Sequence, residues 1–147
     1  MGTTPANLLH ADVTDQIIKA FYHVYNTLGY GFLEKVYENA LAVALRKRGL
    51  LANQQMPIKV FFEGALVGEY FADVEVNTLV IVEAKACDTI HAAHEAQLVN
   101  YLKATTVEVG LLLNFGPQPE FRRKLLTNDR KSALALSANP NSSVPSV

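Results

Sequence analysis

Asp73 and, ten residues later, Glu83-Ala84-Lys85 set two acids and a lysine inside stretches that otherwise read as β-strand. Phe71-Ala72-Asp73-Val74-Glu75-Val76 alternates, which predicts that Asp73 and Glu75 share one strand face. In Leu79 to Lys85 the same period puts Glu83 and Lys85 on one face and Val82 and Ala84 on the other. Asn77-Thr78 is a short polar break suited to a tight turn between antiparallel neighbours. Folding then gathers Asp73, Glu83 and Lys85. A charge at the end of so apolar a strand carries a desolvation cost that a structural role rarely justifies. Two carboxylates and an ammonium held close match what a hard divalent cation and an activated water require.

Other polar residues are spaced to join them. His94, Gln97 and Tyr101 are three and four residues apart, so a helix would put them on one face, fed by the strand that ends at Lys85. There a Gln can position a water or a phosphate and a Tyr can stack or hydrogen-bond; the plain alternative is the polar side of a surface helix. Gly31-x-x-Glu34-x-x-Tyr37 opens another helix, with Glu34 and Glu38 on one face and Tyr37 at its border. Glu34 is either a further carboxylate turned toward the cation or an acid complementing the helix dipole, and spacing does not choose. His91 and His94 are spaced His-x-x-His without a strong third ligand nearby, a poor zinc pattern. Cys87 next to an apolar strand reads as a small packing residue rather than a nucleophile. Of the two basic triplets, Arg46-Lys47-Arg48 reads as a solvated helix end. Arg122-Arg123-Lys124 reads as solvated too, or as a phosphate-binding edge.

The elements that must position these groups are legible in outline. Helical spacing predicts helices over about 13–28, with Asp12 or Thr14 as N-cap, and over about 33–48, closed by basic residues before Gly49. Strands follow over about 53–62, 65–76 (bending near Gly68) and 79–85, then a helix over about 91–103 capped by Thr89, and a strand over 107–115 stopped by Gly116-Pro117-Gln118-Pro119. The order ααβββαβ predicts a single-domain α/β sandwich, a mixed sheet flanked by helices. We expect a flexible N-terminus over 1–12, one domain over 13–128 and a polar, disordered tail over 129–147.

At 147 residues with half of them hydrophobic, the chain is long enough for one proper core without staples. Its net charge of −1 speaks against a broad basic surface gripping nucleic acid, though a cleft can be locally positive on a neutral protein. One cysteine excludes an internal disulfide, and no leader or membrane-length apolar run is present; the expectation is a cytoplasmic protein.

Taken together these motifs resemble the PD-(D/E)XK nuclease superfamily, with Asp73 as its first acid, Glu83-Ala84-Lys85 as its Glu-x-Lys, and Gln97-Leu98-Val99-Asn100-Tyr101 as the Gln-x-x-x-Tyr of its exonuclease-like branch. More closely the chain resembles the small bacterial GxxExxY family, through Gly31-x-x-Glu34-x-x-Tyr37, Gly68 to Asp73, His94 to Lys103, and Gly110 to Gly116. Tyr25 and Tyr30 depart from that family's usual residues, and Ala72 stands where a proline-aspartate pair would put proline. The resemblance implies a restriction-endonuclease-like fold and a Mg²⁺-dependent (or Mn²⁺-dependent) phosphodiesterase acting on DNA or RNA. Asp73, Glu83 and Glu34 would then be metal ligands, Lys85 and Gln97 catalytic partners, and Tyr101, His94 and Tyr37 substrate-binding or supporting residues. A homodimer would fit such a nuclease. The competing expectations are a non-catalytic nucleic-acid or protein-binding module on the same scaffold, and a hydrolase of another phosphate ester.

Overall fold

The computed structural model describes residues 9–131. Two helices, α1 (Ala11–Leu28) and α2 (Glu34–Lys47), precede three strands, β1 (Ala52–Phe62), β2 (Ala65–Val76) and β3 (Val80–Lys85). Helix α3 (Ala92–Lys103), strands β4 (Val109–Asn114) and β5 (Glu120–Leu125), and a 3₁₀ turn (Asn128–Arg130) complete the order. The strands form one sheet in sequence order, antiparallel except for the parallel pair β3–β4. That pair is where α3 crosses over, as parallel neighbours require.

The expected order ααβββαβ is one strand short. The sequence places no strand after Gly116-Pro117-Gln118-Pro119, yet Glu120–Leu125 pairs along β4 as a charged edge. Lysine and arginine on an edge strand deter pairing with another chain. The basic triplet Arg122-Arg123-Lys124 lies on this edge strand, with Arg122 exposed and the other two half-buried. Arg122 pairs with Glu120 at 3.3 Å, Lys124 with Glu95 at 2.7 Å, and Arg123 donates to the Leu9 carbonyl. The cap of α1 also differs: the N-cap is His10 in a left-handed conformation, not Asp12 or Thr14. Helix α3 starts from His91 rather than Thr89. The expected termini, 1–12 and 129–147, fall mostly outside the described residues. Within the described part, α1 already begins at Ala11, and Lys131 is buried with Nζ donating to the carbonyls of Thr105 and Val107 at 2.7 and 2.8 Å.

Each sheet face has its own core. Val80, Val82 and Ala84 of β3 and Val109, Leu111 and Leu113 of β4 pack with Ile17, Phe21, Tyr37 and Leu41 of α1 and α2. Ile81 and Leu112, of opposite parity, pack with Leu98, Tyr101 and Leu102 of α3. Both faces being covered explains why β3 and β4 are apolar throughout their length. Gly110 lets α3 approach closely, since a Cβ there would lie 2.8 Å from the Leu98 side chain.

Both hairpin turns follow from local chemistry. Glu63-Gly64, with φ of 50° and 81°, joins β1 to β2, and Asn77-Thr78, with φ of 53° and 56°, turns β2 into β3. Positive φ at both turn residues matches the right-handed twist of the flanking strands. The bend expected near Gly68 is a bulge, where the β1–β2 register slips between Val60 and Phe61 and leaves Val67 unpaired.

Candidate functional site

The three groups singled out in the strands converge at the end of β3. The β2–β3 ladder runs through Val74↔Val82, so continuing it sets Asp73 directly opposite Glu83. Two like charges facing each other across strands are unfavourable unless something separates or neutralises them. The ladder stops there. Asp73 Oδ2 accepts the Ala84 amide at 2.8 Å, so a side chain occupies the place of a ladder carbonyl.

The pleat of β2 is reset at the same point. Val74 and Val76 pack in the α1/α2 core, yet Ala72, of the same parity, packs in the α3 core. The expectation of unbroken alternation from Phe71 to Val76 is therefore corrected: Asp73 sits at a break in it. In β1, Ala52 and Ile58 show the same switch, and between them Gln55 has φ of 55° in the position opposite Asp73. Regular alternation sends neighbouring side chains to opposite faces. The left-handed residue instead lets Gln54 and Gln55 both reach Glu38 of α2, at 2.7 and 2.9 Å, while Lys35 meets it at 3.0 Å. This buried carboxylate and its two glutamines hold the distorted strand beside the site. Sequence reasoning placed Glu38 on a helix face and gave the glutamines no role; the only signal was two long amides in a strand-like run.

Glu83 is 7% exposed, and its Oε1 is buried without a hydrogen-bond partner. Burial first, then the neighbouring Asp73 carboxylate, push its pKa up to about 9, with Lys85 pulling weakly the other way. An orphaned buried oxygen beside a second carboxylate is a site that a cation would complete. Lys85 closes β3 on the same face as Glu83, half-buried, and forms no salt bridge among the described residues.

Helix α3 faces the acids. Gln97 Nε2 donates to the Tyr101 hydroxyl at 2.9 Å, and Tyr101 is 6% exposed. Desolvation first, then the charges of Glu83 and Asp73, raise the Tyr101 pKa to about 12, which keeps it a neutral hydroxyl beside the carboxylates. His94 Nδ1 accepts the His91 amide at 3.2 Å. Burial, then Lys85 and His91, lower its pKa against the opposing pull of Glu34, so it stands neutral. Glu34 lies exposed in the first turn of α2, near enough for its charge to act on His94 and Cys87. Among the described residues no three His, Cys, Asp or Glu side chains form a metal cage, so Glu34 does not join Asp73 and Glu83 in a ready-made three-ligand set. Nor do the two histidines find the extra ligands that zinc needs.

Tyr37 stands apart from this group. It is fully buried and stacks on Phe115 with ring centres 4.6 Å apart. Its hydroxyl donates to the Gly29 carbonyl at 2.6 Å and accepts the Phe32 amide at 3.1 Å, which fixes the loop carrying Glu34.

Asn114, passed over as a site residue, is fully buried and pairs with Lys85 in the β3–β4 register. Its Oδ1 accepts the amides of Cys87 and Gly116, each at 3.0 Å, and its Nδ2 donates to the Cys87 carbonyl at 2.9 Å. The chain leaving Lys85 is thereby clamped to the end of β4. Gly116 is required there, because a Cβ would lie 1.9 Å from the Cys87 carbonyl oxygen. Cys87 itself, its pKa raised chiefly by burial, lacks the thiolate character of a nucleophile.

Residues 11–124 match a family model described as the PD-(D/E)XK nuclease superfamily. No curated protein and no solved structure matches the chain. The mixed five-stranded sheet between helices fits the restriction-endonuclease-like fold of that superfamily.

Proposed function

This chain belongs to the PD-(D/E)XK nuclease superfamily, and we propose that it is a divalent-metal-dependent phosphodiesterase acting on DNA or RNA, of the GxxExxY kind. The observation that carries the reading is the orphaned Glu83 Oε1 held against Asp73 at the mouth of β3. Asp73 and Glu83 would hold Mg²⁺ or Mn²⁺, with the Ala84 carbonyl as a further oxygen. One or two carboxylates with waters and substrate phosphate is the usual magnesium set, and a full protein cage is not needed. Once bound, the ion supplies charge neutralisation and an acidified water.

The remaining roles belong to side chains on the same face. Lys85, unpaired among the described residues, orients the attacking water and neutralises charge building on the phosphate. Gln97, tied to Tyr101, steadies that water or the lysine. Tyr101, neutral at working pH, donates a hydrogen bond toward the carboxylates or the substrate. His94 and Glu34 border the opening, where Glu34 would act through a water. Tyr37 supports the Glu34 loop from within the core. A homodimer enters this reading if both strands of a duplex are cut together.

A cleavage assay on labelled single- and double-stranded oligonucleotides, with and without Mg²⁺ or Mn²⁺, tests the reading. Metal-dependent cleavage lost in Asp73→Asn supports it; equal activity in that variant ends it. The second reading, a binding module without chemistry, draws on the absence of a three-ligand set among the described residues. Calorimetry showing no Mn²⁺ binding, and none lost in Asp73→Asn, would favour it.

A further inference from the structure

A groove of about 760 Å³ opens between α3 and the β1–β2 hairpin. Its facing residues are short: Ala93 and Ala96 on the helix and Ala104 just after it line the groove together with Gly68 on the strand. Its lining includes Lys59, Lys103 and His94 and no aspartate or glutamate, on a chain whose net charge is −1. Neither lysine forms a salt bridge among the described residues. Tyr70, 48% exposed, stands on the hairpin wall with its ring 5.7 Å from that of Tyr101.

The groove adjoins the carboxylate site through shared residues. Gln97 and Tyr101 line it, and the Tyr101 hydroxyl lies within the field of Glu83 and Asp73. A bound chain would therefore pass from the lysines, over Tyr70, to the acids. We infer that this groove binds single-stranded nucleic acid, its phosphates near Lys59 and Lys103 and a base against Tyr70. The inference rests on the nuclease reading for direction only, not for binding. Positive charge that tracks a backbone, together with an exposed aromatic that accepts any base, is the mode by which single strands are held without sequence preference. The volume lies within the range of clefts for small ligands and takes a nucleotide or two, and the bases of a duplex, paired and stacked on one another, are not free to lie on Tyr70.

Fluorescence anisotropy without divalent metal, using oligothymidine, oligouridine, a duplex of equal length and polyglutamate, tests this on the full chain. The expected result is tighter binding of one or both single strands than of duplex or polyglutamate. Tyr70→Ala should weaken single-strand binding by roughly tenfold or more, as loss of a stacking platform does. Lys103→Glu with Lys59→Glu should weaken it further and reduce its salt dependence. All three side chains are exposed, and circular dichroism checks that each variant folds. Duplex or polyglutamate bound as tightly as single strand, or unchanged affinity in both Tyr70→Ala and the lysine pair, overturns the inference. Asp73→Asn should retain binding. If wild type binds through Tyr70 but never cleaves, the groove stands and the catalytic reading alone fails.

Discussion

Asp73 accepts the amide of Ala84 through Oδ2 at 2.8 Å, so the first acid of the site also ends the ladder between β2 and β3. One carboxylate oxygen is thereby fixed by backbone. Glu83 across from it is buried, with Oε1 unpartnered.

Glu83 keeps its proton up to about pH 9, against 4.5 for the ordinary side chain. Below the lower value both folded and unfolded chains are protonated, and the group's contribution to stability is complete. As pH rises toward 9 the unfolded chain releases its proton first, so the metal-free protein loses stability across this window. Thermal melts in chelator should show the decline, and Glu83→Gln should flatten it. Ion binding must expel the same proton. Calorimetry of Mn²⁺ at pH 7 in buffers of different ionisation heat should report about one proton released per ion. Identical pH profiles for wild type and Glu83→Gln would contradict the assignment.

Lys85→Ala should lower metal-dependent cleavage by on the order of 100-fold or more while leaving the melting temperature nearly unchanged, as removal of a group that stabilises developing charge does. Lys85→Arg, which keeps the charge but not its shape, should recover little of the rate. The comparison is made by single-turnover kinetics at saturating metal. A Lys85→Ala enzyme with full activity would remove the lysine from the mechanism.

Glu38→Ala should destabilise the fold by about 1–3 kcal/mol, because the half-buried Gln54 and the exposed Gln55 lose the buried acceptor they share. Since Gln55 stands opposite Asp73, Mn²⁺ affinity should fall as well, although Glu38 touches no ion. Gln55→Gly accepts the left-handed backbone and loses a single hydrogen bond, so its effect should be smaller. Gln55→Val, strained at positive φ, should be the worst of the three. Denaturant melts and metal titrations of these variants make the comparison.

Asn114→Ala should leave the half-buried Cys87 amide and the buried Gly116 amide without their acceptor, at a cost of about 1–3 kcal/mol for the buried one. Hydrogen exchange should quicken at Cys87, and cleavage should slow because the segment following Lys85 is no longer clamped. Unchanged exchange at Cys87 would show that the clamp is not needed.

Much of this was legible because it is local. The period of Leu79 to Lys85 separates Glu83 and Lys85 from Val82 and Ala84 as the two cores do. Asn77-Thr78 turns where its chemistry says, and Gln97 meets Tyr101 as helical spacing requires. What escaped depends on neighbours distant in sequence. The pleat reset at Asp73 lies opposite a left-handed residue in another strand, itself held by a helix, so nothing within Phe71 to Val76 announces it. Strand β5 escaped because Glu120 to Leu125 is too charged to read as a strand; its partner β4, not its own pattern, recruits it. Asn114 lies unremarked inside the strand expected over 107–115, and only the close approach of Cys87 to Gly116 reveals its work.

The reversed twist of backbone at Gln55 has a temporal consequence. The distortion beside Asp73 is set once, while the chain folds, with Glu38 of α2 serving as its brace. Under the proposed chemistry, none of a substrate's binding energy would be diverted into bending these strands beside the acids.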